Sequence, residues 1–198
     1  MTTVFFDIDT QLDFVNPSGA LYVPKAERIL PAVGALNRFA AQRGILVIST
    51  TDAHAENDPE FAQWPAHCIA GTLGQHKPEA TLLDRRMTVG NCEELPDVAG
   101  TPQIILEKQT LDAFATRTLG RLLDRLGAEH AVVYGVVTEV CVLFAARGLL
   151  QRGMRVTLVT DAVAALDRAN SQRALDELRQ GGCRLAARDN LEIAAAAT

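Results

Sequence analysis

The sequence contains no long apolar run. Within its 198 residues, no stretch approaches the roughly 18 consecutive apolar residues that a membrane-spanning helix needs. The first residues also lack the basic segment of a secretory signal peptide, and an acidic residue, Asp7, follows early. We therefore expect a cytoplasmic protein that has no membrane partner.

Positive charge is not in excess, and cysteine is scarce. Lys and Arg number 19 against 24 Asp and Glu, which gives a formal net charge of −5, so nucleic acid is not an expected partner. No Cys-x-x-Cys pair occurs, and wide spacing is typical of reduced thiols and not of a disulfide framework. The 4 cysteines are Cys68, Cys92, Cys141 and Cys183.

The sequence predicts one α/β domain spanning residues 1–198. Its hydrophobic content of 48% is enough for a sizeable core. Strands alternate with helices, which favours a single parallel sheet with helices on both faces. The predicted strands are 4–9, 45–49, a weak one near 81–89, 103–107, the run from Val132, 155–160 and 183–186. The predicted helices lie near 29–40, 119–126 and 139–151 and around Leu175 and Leu178; Gly44, Gly127 and Gly181 end three of them, and the alanine-rich tail has no assignment.

The run from Val132 to Val142 is the most distinctive stretch of the chain. Its β-branched residues predict a buried strand, after which Gly135 permits a sharp turn and Thr138 is a candidate N-cap. Cys141 then falls in the first helical turn, where free N–H groups and the helix dipole favour a thiolate. The alternative is that Cys141 is an inert core residue among valines.

Four reactive side chains each follow the end of a predicted strand: Asp9, Asp52, Lys108 and Cys141. Taken alone, Asp9 is explained by a turn or cap, and Lys108 by a solvated surface amine. The carboxyl ends of parallel strands, however, lie at one edge of a sheet, where binding crevices form. Together these residues indicate a cysteine activated by a carboxylate, with a lysine that stabilises charge.

Residues 52–80 form a long polar loop that carries a second set of polar side chains. Asp52, His54, Glu60 and His67 are ligand types that suit a divalent zinc, iron or manganese ion. The alternative is a polar loop without a metal, in which His67 is buried and hydrogen-bonded. His76 and His130 have no such neighbours in the sequence, and we interpret both as surface residues.

Several motifs resemble those of one known family. The segments Asp9-Thr10-Gln11-Leu12-Asp13-Phe14 and Gly135-Val136-Val137-Thr138-Glu139-Val140-Cys141-Val142, and Lys108 followed by Phe114, are similar to motifs of the isochorismatase-like cysteine hydrolases. Asp52-Ala53-His54, Trp64-Pro65-Ala66-His67-Cys68 and Gly71-Thr72-Leu73-Gly74 resemble in particular the metal-dependent nicotinamidase branch of that family. The resemblance covers nearly the whole chain.

The resemblance implies a Rossmann-like, doubly wound sheet of about six parallel strands and a set of site residues. Asp9, Lys108 and Cys141 would form a catalytic triad. One divalent metal ion, with zinc expected before iron or manganese, would be held by Asp52, His54 and His67, with Glu60 as the extra carboxylate ligand of some bacterial nicotinamidases. A cis peptide between Val136 and Val137 would direct the backbone N–H groups of Val137 and Cys141 into an oxyanion hole, and Phe14 and Trp64 would wall the pyridine ring.

The implied activity is hydrolysis of nicotinamide to nicotinate and ammonia through a cysteine thioester, in NAD salvage, by a homo-oligomeric enzyme. Leu12 and the Glu139-Val140 pair depart from the family pattern or vary within it, which leaves open a related amidase acting on a carbamoyl or maleamate-type amide. Asp7-Ile8-Asp9-Thr10 also resembles the motif of haloacid-dehalogenase phosphatases, although Gln11 does not fit that motif and Cys141 would have no role. A metal-stabilised, non-catalytic scaffold is the third alternative.

Overall fold

A sheet of seven parallel strands forms the centre of the molecule in a computed structural model that describes residues 2–92 and 94–192. The strand order across the sheet is β3-β4-β2-β1-β5-β6-β7. The predicted fold class is confirmed, with seven strands where about six were expected. The strands are β1 Thr2–Ile8, β2 Val47–Asp52, β3 Arg86–Val89, β4 Gln103–Lys108, β5 Ala128–Val136, β6 Arg155–Ala164 and β7 Arg184–Ala186.

Helices cover both faces of the sheet, which explains why the central strands are apolar runs. On β1, Phe6 lies in the core cluster of one face and Phe5 in that of the other, and both are fully buried. Helices α1 and α2 contribute to the Phe5 face, and α3, α4 and α5 to the Phe6 face. The helices are α1 Leu12–Val15, α2 Leu30–Gln42, α3 Arg117–Leu126, α4 Leu143–Gln151 and α5 Arg168–Gln180.

The ends of most elements agree with the local sequence signals. Gly127 ends α3 in a left-handed conformation (φ 57°), as the sequence predicts. Strand β6 extends to Ala164, four residues beyond its predicted end, whereas the weak strand near 81–89 shortens to Arg86–Val89. No helix among the described residues combines the length and apolar character required to cross a bilayer. The alanine-rich tail from residue 193 lies outside the described residues.

Two local predictions in the run from Val132 to Val142 are wrong. Gly135 does not form a turn but lies within β5 at φ 120°, where a Cβ atom would stand 2.1 Å from the Ile8 carbonyl oxygen. Glycine is therefore required by the close approach of the β1 and β5 backbones. Thr138 does not cap a helix, because its hydroxyl donates to the Ala164 carbonyl oxygen at 2.9 Å.

The chain reverses its direction of progress across the sheet between β1 and β5. From β1 the chain continues to β2, β3 and β4 on one side, and the later strands β5, β6 and β7 extend the sheet on the other. In open parallel sheets, ligands bind at such a switch point, beyond the carboxyl ends of the strands. Asp9 and Cys141 follow the two strands that flank this point.

The prediction that His130 is a surface residue is wrong, whereas His76 is exposed as expected. His130 is 6% exposed, and its Nε2 lies 2.9 Å from the Thr157 hydroxyl. It lies on β5 between β1 and β6, so neighbouring strands cover it in a way that its polar sequence neighbours do not reveal. Burial, and then the positive charges of Arg155 and Arg184, lower the pKa of His130 below its ordinary value.

We predict that His130 makes the protein less stable in mild acid. Because its pKa is lowered by folding, the unfolded chain binds the proton more tightly, so stability is present above about pH 6.5 and is lost as the pH falls through the folded pKa. Urea unfolding at several values between about pH 5 and pH 8 should show this slope. His130→Gln should flatten it, whereas the exposed control His76→Gln should not. A slope unchanged in His130→Gln would contradict the prediction.

Candidate active site

The structure brings together the four strand-end residues. Asp52 and Lys108 are the last residues of β2 and β4 and are direct partners in the parallel register. Asp9 follows β1, and its backbone N–H donates to the Thr50 carbonyl oxygen of β2 at 3.2 Å. Cys141 lies in a π-helical turn, Thr138–Val142, between β5 and α4. All four side chains therefore lie at the carboxyl edge of four adjacent strands.

Lys108 is the centre of this group. Its Nζ lies 2.9 Å from Asp9 Oδ2, 2.5 Å from Asp52 Oδ1 and 4.0 Å from Cys141 Sγ. The side chain is 1% exposed, so burial alone would lower the pKa of the amine, but the carboxylates of Asp52 and Asp9 raise it well above its ordinary value. Lys108 is thus a buried cation shared by two carboxylates and a thiol, and not a solvated surface amine.

Cys141 is a buried thiol and not a preformed thiolate. It is 5% exposed, and burial raises its pKa well above the ordinary value; Lys108 opposes this rise, whereas Asp9 and Asp52 add to it. The expectation that the helix start favours a thiolate is therefore wrong for the free protein. Asp9 Oδ2 and Cys141 Sγ lie 2.9 Å and 4.0 Å from the same Lys108 Nζ, so the Asp9 carboxylate is a candidate acceptor for the thiol proton.

Asp9 is held in a left-handed backbone conformation, with φ 45°, a region that aspartate occupies more readily than most residues. The Thr50 hydroxyl donates to Asp9 Oδ1 at 2.6 Å, which leaves Oδ2 directed towards Lys108. Burial raises the pKa of the neighbouring Asp52 to about 6, with Lys108 opposing the rise and Asp9 adding to it. Two carboxylates thus share one ammonium.

The sequence-predicted metal ligands also converge. Asp52, His54 and His67 are buried, and their ligand atoms lie within 4.8 Å of one another. Glu60 stands beside them, with Oε1 3.9 Å from His54 Nε2 and 4.0 Å from His67 Nε2. Neither His54 Nε2 nor Glu60 Oε1 has a hydrogen-bond partner among the residues that the structure describes. Two imidazoles and two carboxylates, with orphaned buried atoms, fit a divalent cation.

The outer nitrogens of both histidines are fixed by other groups, as is usual for metal-binding histidines. His54 Nδ1 lies 3.0 Å from Asp58 Oδ2, and His67 Nδ1 lies 2.7 Å from the Pro65 carbonyl oxygen. Asp58 Oδ1 also accepts the Glu60 backbone N–H at 2.9 Å, so one side chain orients two candidate ligands. Asp58 was missed in the sequence, although Asp before Pro59 is a signal for a helical N-cap.

A pocket above Cys141 has mainly apolar walls. Phe14 and Trp64, the predicted aromatic walls, both line it, and the Phe14 ring centroid lies 5.3 Å from that of His67. Its described lining includes neither lysine nor arginine. The lining residues are Phe14, Leu21, Asp52, Glu60, Trp64, His67, Leu111, Val137, Val140, Cys141 and Leu166. The side chains of Leu21, Leu111 and Leu166 were not predicted, because apolar residues in loops carry no distinguishing pattern.

The backbone around the site carries two further features. The peptide between Val136 and Val137 is cis, as the resemblance implies. The buried amide of Gln11 clamps Asp52: its Oε1 accepts the Asp52 backbone N–H at 2.7 Å, and its Nε2 donates to the Asp52 carbonyl oxygen at 2.8 Å. Gln11 belongs to the family-like segment Asp9 to Phe14, but its contact with Asp52 could not be predicted from the sequence.

Asp7 does not join Asp9 in one site. Its Oδ1 lies 3.2 Å from Lys77 Nζ and accepts a hydrogen bond from the Thr10 hydroxyl at 2.7 Å. A phosphatase of the haloacid dehalogenase type requires both aspartates at the reacting centre, so the geometry gives that alternative no support.

Known proteins support one family. The family model described as Isochorismatase domain matches residues 3–189. A streptothricin hydrolase from Streptomyces noursei is 34% identical over 160 residues, covering 81% of this chain and 49% of that protein. Nicotinamidase 3 from Arabidopsis thaliana is 29% identical over 111 residues, covering 56% of each chain.

Solved structures agree with this assignment. The crystal structure of a pyrazinamidase of Pyrococcus horikoshii in complex with zinc has a TM-score of 0.79 at 28% identity, covering 94% of this chain and 99% of that chain. The chain spans about half the length of the streptothricin hydrolases that it matches. Because the family model spans nearly the whole chain and the fold agrees, the chain belongs to the isochorismatase family.

Proposed function

We propose that this protein hydrolyses nicotinamide to nicotinate and ammonia, in salvage of NAD. The observation that carries the proposal is the shared contact of Lys108 with Asp9, Asp52 and Cys141, which places a nucleophile directly beside a candidate metal cluster. The similarity to a nicotinamidase and to a zinc-bound pyrazinamidase supports the same activity.

Asp9 acts as the general base in the proposed mechanism. As Cys141 Sγ attacks the carboxamide carbon, the thiol proton passes to Asp9, so the buried thiol need not ionise beforehand. Asp9 then gives the proton to the departing nitrogen, and ammonia leaves a thioester on Cys141. A water molecule, deprotonated by Asp9, hydrolyses the thioester, and nicotinate and the free thiol are released.

Negative charge on the carboxamide oxygen is stabilised by the backbone N–H groups of Val137 and Cys141, with the Lys108 ammonium 4.0 Å from the sulfur. Such oxyanion donors contribute roughly 3–4 kcal/mol each in other hydrolases. Lys108 also balances the charge of Asp9 and Asp52 throughout the cycle. Its position explains why two carboxylates and a nucleophilic thiol can be buried together.

Asp52, His54, His67 and Glu60 would hold the divalent ion, and the zinc of the Pyrococcus pyrazinamidase supports zinc. A bound ion supplies a Lewis acid for the pyridine nitrogen and so orients the ring. Burial lowers the pKa of His67, which keeps the imidazole neutral, as a ligand must be. Phe14 and Trp64 would wall the ring.

The pocket favours an uncharged ring over an acidic substrate. A maleamate-type amide carries a carboxylate, and the described pocket lining offers no lysine or arginine to pair with it. The nearby ammonium of Lys108 is already engaged by Asp9 and Asp52. The similarity to streptothricin hydrolases supports a second candidate function, hydrolysis of an amide other than nicotinamide.

We predict that a substrate panel will separate these candidates. Nicotinamide and pyrazinamide should release ammonia, and preincubation with a chelator should abolish the release. Maleamate should not be hydrolysed, because the described pocket lining offers its carboxylate no lysine or arginine. Streptothricin is the fourth substrate of the panel, and its hydrolysis is measured as loss of the intact compound. Turnover of streptothricin or maleamate without turnover of nicotinamide would contradict the proposed substrate.

We predict that Cys141→Ala lowers nicotinamide turnover by at least about a thousandfold, because the nucleophile is removed. Metal content, measured by elemental analysis, should remain that of the wild type, since no candidate ligand is altered. Cys92→Ala is the matched control: Cys92 is a half-buried thiol outside the site, and its loss should leave turnover unchanged. Near-normal ammonia release from Cys141→Ala would rule out the thioester mechanism.

We predict that Asp58→Ala weakens zinc binding by roughly 10–100-fold, because His54 and Glu60 both lose their orienting partner. Competition with a chromophoric chelator measures the affinity directly and needs no substrate. Glu56→Ala, an exposed carboxylate on the same loop, controls for loss of loop charge, and His54→Ala should bind zinc still more weakly than Asp58→Ala. Equal affinities for Asp58→Ala and the wild type would be incompatible with this role of Asp58.

A further inference from the structure

A second buried cation lies behind Asp9 and has no part in the mechanism above. The side chain of Lys77 is 1% exposed, and its Nζ lies 3.2 Å from Asp7 Oδ1. Nζ also donates to the Thr10 hydroxyl at 2.8 Å. Thr10 in turn donates to Asp7 Oδ1 at 2.7 Å. Asp7, Thr10 and Lys77 therefore form a closed triangle of hydrogen bonds, and Asp7 and Thr10 lie on either side of Asp9 in the sequence.

The Asp7 carboxylate is fully engaged. Besides Thr10 and Lys77, it accepts hydrogen bonds at Oδ2 from Asn37 Nδ2 at 3.1 Å and from the Ser49 hydroxyl at 3.2 Å. Asn37 lies on α2 and Ser49 on β2. Together with Thr10 and Lys77, they fix the carboxylate from three parts of the structure. A buried carboxylate with this many donors has a single defined position.

The triangle is one part of a longer contact between two segments. Residues 75–77 lie along residues 10–12 through three contacts at 2.8 Å each: Gln11 Nε2 donates to the Gln75 carbonyl oxygen, Leu12 N to that of His76, and Lys77 Nζ to the Thr10 hydroxyl. The first segment follows Asp9 directly. The second ends the loop that carries the candidate metal ligands.

We propose that Asp7 and Lys77 are a positioning pair for the general base Asp9. Asp9 occupies a left-handed conformation at φ 45°, between Asp7 and Thr10. The ion pair holds Asp7 directly and Thr10 through the Lys77 ammonium. Because these two residues lie on either side of Asp9, the pair sets the direction in which the Asp9 carboxylate points towards Cys141. A displacement of about 1 Å in such a group can lower a rate about a hundredfold.

A purely structural ion pair would behave differently. Replacing a buried ion pair by apolar residues of similar size is often neutral for stability, whereas removing one partner leaves an uncompensated charge. If the pair only stabilises the fold, a double apolar variant should recover both stability and activity. If the pair positions Asp9, stability should recover without activity.

The experiment compares Lys77→Met with Asp7→Leu/Lys77→Met. We expect a lowered unfolding temperature for Lys77→Met and a recovery towards the wild-type value in the double variant. For the double variant, kcat on nicotinamide should fall by about 10–100-fold, with KM and metal content close to those of the wild type. A double variant with wild-type kcat would overturn the proposal.

Because kcat rests on the proposed function, a second measurement needs no substrate. The rate of Cys141 alkylation by iodoacetamide, followed by mass spectrometry of its peptide, depends on proton removal by Asp9. The rate should fall in the double variant towards that of Asp9→Asn. Wild-type protein that is inactive on nicotinamide would refute the proposed substrate only, while an unchanged alkylation rate in the double variant would refute the positioning role.

Thr10→Val provides a milder variant in case the double variant fails to fold. It removes the hydroxyl that links the pair to the Asp9 turn and leaves Asp7 and Lys77 in place. Thr72→Val is the matched control, because the Thr72 hydroxyl bonds only locally to the Ile69 carbonyl oxygen. Slower alkylation in Thr10→Val than in Thr72→Val supports the proposal, and equal rates overturn it.

Discussion

The site depends on the sharing of one buried ammonium, that of Lys108, by two carboxylates and a thiol. The carboxylates of Asp9 and Asp52, which both contact this ammonium, would repel each other strongly in a low-dielectric interior without a cation between them. The register of the sheet supplies that cation, because Asp52 and Lys108 are paired residues at the ends of adjacent strands. The ordinary geometry of a parallel sheet thus creates the electrostatic condition under which Asp9, Asp52 and Cys141 can be buried together.

Burial of Cys141 favours a mechanism in which the proton moves as the substrate reacts. Desolvation raises the pKa of the thiol, and the nearby ammonium offsets only part of this effect. The free protein therefore holds a neutral, buried thiol beside Lys108, and burial protects a neutral thiol from unwanted reactions. Under the proposed mechanism, the orientation of Asp9 then matters more than the helix start, since Asp9 and not the helix dipole would generate the nucleophile.

The sequence predicted those parts of the site that follow from strand ends or from short motifs. Asp9, Asp52, Lys108 and Cys141 could be placed together because parallel strands end at one edge. The candidate metal ligands were identified from their residue types on one polar loop and from the resemblance to a family. The partners of those residues could not be predicted, because each contact joins distant segments: Gln11 bonds Asp52 from 41 positions away, and Lys77 bonds Asp7 from 70. The errors at His130, Thr138 and Gly135 have the same origin, since neighbouring strands decide burial and backbone approach there.

Asp52 belongs both to the group around Lys108 and to the cluster of candidate metal ligands. Its Oδ1 holds Lys108 at 2.5 Å, and a carboxylate can accept at both oxygens, so Asp52 can also serve the histidine cluster, whose ligand atoms lie within 4.8 Å of its own. A cation held there would compete with Lys108 for the same negative charge, and the second carboxylate, Glu60, would offset that competition. The Gln11 clamp on the Asp52 backbone keeps the residue in place while both demands are met. Under the proposed function, orientation of the substrate ring and charge balance around the nucleophile would therefore both depend on Asp52, the last residue of β2 and the first residue of the polar loop 52–80.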